Sequence, residues 1–147
     1  MCEHATMSRR CGRPHSYAQS FPGTPGHVRY VRAFIATVLD DFPGADDAVL
    51  LISELAANAC AHSASGIPGG TFTVRADVCP GIYVRAEVED QGSKWDGDIA
   101  AAESPHGLYL LRQLSADCGA RRGAHGWAIW FTIAGPGPGC PGDAFAR

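Results

Sequence analysis

No stretch of this chain approaches the ~20 consecutive apolar residues that a bilayer-spanning helix needs. Charge is scarce as well: charged residues make up 18% of the chain against 46% apolar, so most of it is expected to fold around a core. The formal net charge is −3, and no basic stripe runs long enough to make nucleic acid the expected partner. Arg9, Arg10 and Arg13 cluster near the start, but no apolar segment follows them, which argues against a secretory signal. Among the six cysteines there is no C-x-x-C, and the six histidines show no ligand spacing with cysteines or carboxylates, so zinc-type sites are not expected. Cys2, Cys11, Cys60, Cys79, Cys118 and Cys140 read as reduced thiols of a cytoplasmic protein. Cys60 reads as a small buried apolar residue.

At 147 residues the length suits one domain with a proper core. Residues 1–14 read as a flexible leader, and 135–147, dense in Gly and Pro, as a flexible tail. The folded unit is therefore expected over 15–134. A first strand is expected near Ser16–Phe21. Thr24-Pro25 then reads as a helix start, with Thr as cap and Pro at the first helical position. Val28, Val31, Phe34, Ile35, Val38 and Leu39 continue it at helical spacing, and Pro43-Gly44 ends it.

A second helix is expected from Ala45 to about His62, with Asp46 and Asp47 in a first turn where acids suit the helix dipole. Two strands follow. Phe72, Val74, Ala76 and Val78 alternate with Thr71, Thr73, Arg75 and Asp77; Ile82, Val84, Ala86 and Val88 alternate with Tyr83, Arg85, Glu87 and Glu89. Joined by Cys79-Pro80-Gly81, they predict an antiparallel hairpin with one buried face. A third helix is expected over about His106–Ala116, a strand over Gly119–Arg122, and a last strand over Trp127–Ile133, where Trp127, Ile129, Phe131 and Ile133 oppose Ala128, Trp130 and Thr132. This order gives an α+β fold: a two-layer sandwich with helices on one face of a mixed, mainly antiparallel sheet.

Within the second helix, "ISELAANACAHS" places Glu54, Asn58 and His62 four residues apart. A spacing of four advances a side chain only about 40° around the axis, so Glu54 and Asn58 share a face. A carboxylate and a carboxamide beside a core suit a hydrated magnesium ion and a hydroxyl: Asn offers a neutral oxygen ligand and Glu accepts a proton. A plain solvated stripe would show the same spacing. Asp90-Gln91-Gly92, directly after a strand, offers a carboxylate for an exocyclic amine and a Gly beside a flat ring; D-x-G is also ordinary turn chemistry. "HGLYLL", from His106, opens an apolar helix whose free N–H groups suit phosphate.

Taken in order, "SELAANACAHS", "VEDQG" and "PHGLYLL" resemble the N-box and the two glycine boxes of the histidine-kinase-like ATPases, which have the Bergerat ATP-binding fold. The resemblance covers about 21–133. The lone domain, the short lid and the ending "GWAIWFTI" are most similar to the anti-sigma-factor serine/threonine kinases of bacterial partner-switching systems. That resemblance implies ATP and Mg²⁺ as cofactors, with Asn58 coordinating the metal and Glu54 as catalytic base. It implies that Asp90 binds the adenine amine and that Gly92 keeps the base pocket open. His106, Gly107 and Leu108 would lie beside the phosphates, Ser93–Pro105 would form a lid, and Lys94, Arg112 or His106 would supply positive charge. His62 matches a frequent family His without a clear role. The implied partners are a STAS-type anti-sigma-factor antagonist and a sigma factor, with a homodimer also open; no nucleic acid or membrane is implied. Two positions depart from the family: Pro105 stands in the second glycine box, and Ala128 where relatives carry Thr near the adenine. A catalytically silent nucleotide-binding anti-sigma module, a detached histidine-kinase catalytic domain and an α+β domain with a solvated helix face therefore stay open.

Overall fold

The computed structural model describes residues 13–92 and 108–135. Strand β1, His15–Pro22, leads into a 3-10 turn over Pro25–His27 and helix α1, Val28–Val38. The expected start at Thr24-Pro25 is thus a 3-10 turn first. Pro25 has no N–H to give, and the Thr24 hydroxyl bonds the His27 ring rather than capping the backbone. Helix α2, Ala45–His62, follows, with Gly44 at its N-cap at φ 97° and no side-chain cap. A second 3-10 turn, Ala64–Gly66, leads to strands β2, Thr71–Cys79, and β3, Tyr83–Glu89. Helix α3, Leu108–Leu114, and strands β4, Asp117–Arg122, and β5, Trp127–Ala134, complete the fold.

The strands form one sheet in the order β1-β2-β3-β5-β4. The sheet was expected to be mainly antiparallel, and all four of these pairings are antiparallel. The chain leaves β3, reaches the edge at β4, and returns through β5 to lie against β3. Helices cover one face. Val28, Val31 and Ile35 of α1 and Ala48, Leu51, Ile52, Leu55, Ala56 and Ala59 of α2 meet Phe72, Val74, Ala76, Val84, Ala86, Val88, Phe131 and Ile133 of the sheet. The side chains of Ile35, Leu51, Ile52, Phe72 and Phe131 are almost wholly buried, each worth about 1.5–3 kcal/mol over an exposed position. Leu111, also fully buried in this core, fixes α3 to it. Among the described residues no helix is long and apolar enough to cross a membrane.

Two expectations need correction. The hairpin was read as having a single buried face, yet Tyr83, Glu87 and Glu89 on the other side of β3 are buried too. Ile82 packs with Cys79 and Tyr83 rather than with the main core. The cysteines were read as reduced throughout, yet Cys79 is disulfide-bonded. Cys60 and Cys118 are free, and burial pushes the Cys60 thiol up, keeping it protonated.

Candidate functional site

The site grows from the edge of α2. Leu51, Leu55 and Ala59 are buried, Leu50, Ala57 and Ala61 are exposed, and Glu54 and Asn58 lie half-buried between the two sets. The 3.6-residue period puts both polar groups on the border where the helix meets solvent beside the core. No side-chain hydrogen bond or ion pair joins either of them to another described residue. His62 lies at the exposed C-terminal end of the same helix.

That end is bonded to the D-x-G turn. Ser63 caps it: its hydroxyl donates to Ala59 O at 2.7 Å and accepts from Ser65 N–H at 3.0 Å. Ser65 is fully buried, and its Oγ accepts from Gln91 N–H at 3.1 Å. Ala64 N–H donates to Gly92 O at 2.8 Å. Gln91 Oε1 in turn accepts from Thr71 N–H at 2.9 Å. These backbone groups thereby find partners, and the helix carrying Glu54 and Asn58 is fastened to Asp90-Gln91-Gly92. The two serines were not singled out from the sequence; "HSASG" directly after a helix is the cap-and-turn signal that marks them.

Asp90 is held from two sides. Its Oδ1 accepts from Gly92 N–H at 2.8 Å and from Trp127 N–H at 3.1 Å, while its own N–H donates to Trp127 O at 2.9 Å. One oxygen thus positions the turn, and no described residue bonds Oδ2. Gly92 has φ +118°, a conformation open to glycine and costly for other residues. Gly126 is a further requirement that sequence reasoning missed. A Cβ there would stand 2.3 Å from both Asp90 Oδ1 and Gly92 N, so only glycine lets the β4–β5 turn reach the D-x-G turn.

The register corrects the Ala128 expectation. Ala128 pairs with Glu89 and lies on the face away from the helices, because Ile129, Phe131 and Ile133 belong to the helix-side core. The neighbour of Asp90 on the helix side is Trp127. A missing hydroxyl at Ala128 therefore does not weaken a base site beside Asp90. Of the phosphate-side residues, Leu108 opens α3 and Arg112 is exposed on it. Lys94, Pro105, His106 and Gly107 lie outside the described residues. Among those described, no three His, Cys, Asp or Glu side chains converge as a metal site.

The opposite face of the sheet, outside the one buried face expected of the hairpin, carries a charged network. Glu87, only 2% exposed, accepts from Arg75 at 3.0 Å, Arg85 at 3.1 Å and Arg121 at 2.5 Å. Glu89 accepts from Arg75 at 2.7 Å and from Ala124 N–H at 2.8 Å. Burial alone would raise the Glu87 carboxyl, but the hydrogen bonds and charges of Arg121 and Arg85 hold it below the usual carboxylate range. Glu89 is likewise held low against its burial, by Arg75 and the Ala124 N–H. A concavity of ≈620 Å³ on this side is lined by Thr71, Thr73, Arg75, Glu89, Gln91 and Arg121 among others. The Glu89 carboxylate in it is fully bonded, whereas Asp90, which also lines it, keeps Oδ2 without a partner among the described residues.

The model of the histidine kinase-like ATPase domain matches residues 21–133. No curated protein matches the chain. The matched span runs from the end of β1 to the end of β5 and takes in both layers and the D-x-G turn, so the chain belongs to the histidine kinase-like ATPases.

Proposed function

We propose that this chain is an ATP-dependent protein serine/threonine kinase of the anti-sigma-factor type, which phosphorylates a small STAS-type antagonist and sequesters a sigma factor. The observation that carries the proposal is the pair Glu54 and Asn58. Both are half-buried, neither has a side-chain partner among the described residues, and both ride on a helix whose end is bonded to the Asp90–Gly92 turn. Hydrogen-bonding groups left unused at a core edge are what a ligand site provides.

The residues fit a magnesium-bound purine nucleotide. Asp90 Oδ2 is positioned as acceptor for an exocyclic amine, because Oδ1 is already committed to two backbone donors. Gly92 brings backbone close to a flat ring without a side chain in the way. The Asn58 carboxamide oxygen is the ligand for magnesium. Glu54, one turn earlier, takes the proton of an incoming serine or threonine hydroxyl. Mg-ATP, when bound, supplies the phosphoryl group and the cation that neutralises its charge. His106, Gly107 and Leu108 keep their assignment to the phosphates through the family resemblance.

A catalytically silent module that binds nucleotide and acts by sequestration would share this cleft. It had two motives, Pro105 and Ala128, and the β3–β5 register moves the second to Trp127, which brings no hydroxyl beside Asp90 either. Incubation with γ-labelled Mg-ATP and a small antagonist separates the two. The kinase labels a serine or threonine, and Glu54→Gln abolishes labelling while ADP binding persists. Labelling that survives Glu54→Gln removes Glu54 from the role. ADP binding without labelling of any antagonist selects the silent module.

A further inference from the structure

We infer that Trp127 is the aromatic wall of the base site, with Arg122 as its clamp; the inference rests on the assignment of Asp90 to the base. On β5, Ile129, Phe131 and Ile133 face the helices, and the two-residue period puts Trp127 on that same side. On β3, Val84, Ala86 and Val88 face the helices, which places Asp90 there as well. The Asp90 N–H bond to Trp127 O and the Trp127 N–H bond to Asp90 Oδ1 make the two direct neighbours across the strands. On β4, Cys118 and Ala120 pack against the core and Arg122 pairs with Trp127, so Arg122 shares the face. Its guanidinium lies 4.9 Å from the centre of the Trp127 ring.

The indole therefore stands between a guanidinium on the β4 side and a carboxylate on the β3 side. Cation–π contact with Arg122 holds the ring from one flank, and Asp90 is the strand neighbour of Trp127 on the other. A base whose amine bonds Asp90 Oδ2 arrives beside that flank. Any base presents a π-face to an indole, and base–aromatic stacking is among the stronger contacts available to a nucleotide. Specificity then divides: Asp90 selects the amine, while Trp127 supplies affinity that does not depend on which purine is bound.

The test titrates ADP into wild type, Trp127→Phe, Trp127→Thr and Asp90→Asn by calorimetry, with tryptophan emission followed in parallel. Trp127→Thr should bind ADP at least about fivefold more weakly, and Trp127→Phe within a few-fold of wild type. The emission quench seen with wild type should vanish in Trp127→Phe although ADP still binds. Unchanged or tighter ADP binding by Trp127→Thr, or a quench that persists in Trp127→Phe, overturns the wall. If Asp90→Asn still weakens ADP in that case, the base site itself stands. Should wild type bind no ADP at all, both the base site and the wall are withdrawn. Circular dichroism screens Trp127→Thr for folding, and if it fails to fold the emission result on Trp127→Phe decides.

Discussion

Asp90→Asn separates two tasks performed by one side chain. The replacement keeps an oxygen at Oδ1, where Gly92 N–H and Trp127 N–H donate at 2.8 and 3.1 Å, so the turn should survive. Both bonds change from charge-assisted to neutral, which costs about 1 kcal/mol in stability. At the second position an acceptor becomes an NH₂ donor facing another donor, the base amine. Loss of a bond to a charged group costs about 1.5–3 kcal/mol, and an unsatisfied donor adds about 1–3 kcal/mol. Taking about 2.5 kcal/mol as the lower end, ADP affinity should fall at least about fiftyfold. Scanning calorimetry with and without ADP reads both effects: the apo midpoint should move by only a few degrees, while the ADP-dependent rise disappears. Inosine diphosphate, which offers a ring carbonyl in place of the amine, should lose far less than ADP. Asp90→Ala, lacking Oδ1 too, should lower the apo midpoint further. If Asp90→Asn binds ADP as wild type does, Asp90 is a turn residue only and the base site is elsewhere.

Three other outcomes follow from the same contacts. Glu87→Gln should lower stability by about 1–2 kcal/mol in chemical denaturation; the ~3–5 kcal/mol of a fully buried pair is discounted because the Arg75 and Arg121 side chains are 42% and 45% exposed. Glu87 and Glu89 are both held below their unfolded values, so their contribution is complete above about pH 4.3 and is lost as pH falls through the lower folded values. Acid denaturation of wild type should be steeper there than that of Glu87→Gln, and equal slopes would remove Glu87 as the cause. Gly126→Ala pushes a methyl against Asp90 Oδ1 and Gly92 N, so it should cost about 1–3 kcal/mol and weaken ADP binding. An unchanged melting midpoint and affinity would show that the turn yields freely.

The layers were legible because the period of the apolar residues matches the element that carries them. Phe72, Val74, Ala76 and Val78 alternate without a break, and all four are buried against the helices. Val28, Val31 and Ile35 recur at helical spacing and line the inner face of α1. Strand order was not legible, since placing β5 between β3 and β4 depends on pairings with no local signal. Nor was the burial of Glu87. Alternation correctly sent it away from the core, but what covers it comes from Arg75 on β2 and Arg121 on β4. Edge strand β4 begins at Asp117, ahead of the expected Gly119, because backbone bonds to β5 extend it where no apolar pattern does.

For the site, the shared face of Glu54 and Asn58 follows from helix geometry alone, whereas the bonds that fasten their helix to the D-x-G turn join residues more than 25 positions apart. The misplacement of Ala128 has a different origin. Shifting a strand position by one residue moves a side chain to the other face, so matching a motif letter to Ala128 rather than Trp127 exchanges the cleft for the outer face. The alternation of Trp127, Ile129, Phe131 and Ile133 was already visible in the sequence and opposes Ala128 to that set. Periodicity constrains every residue of a strand at once, whereas a motif letter constrains a single position. Where the two conflict, the period decides the face, and it puts the indole beside Asp90.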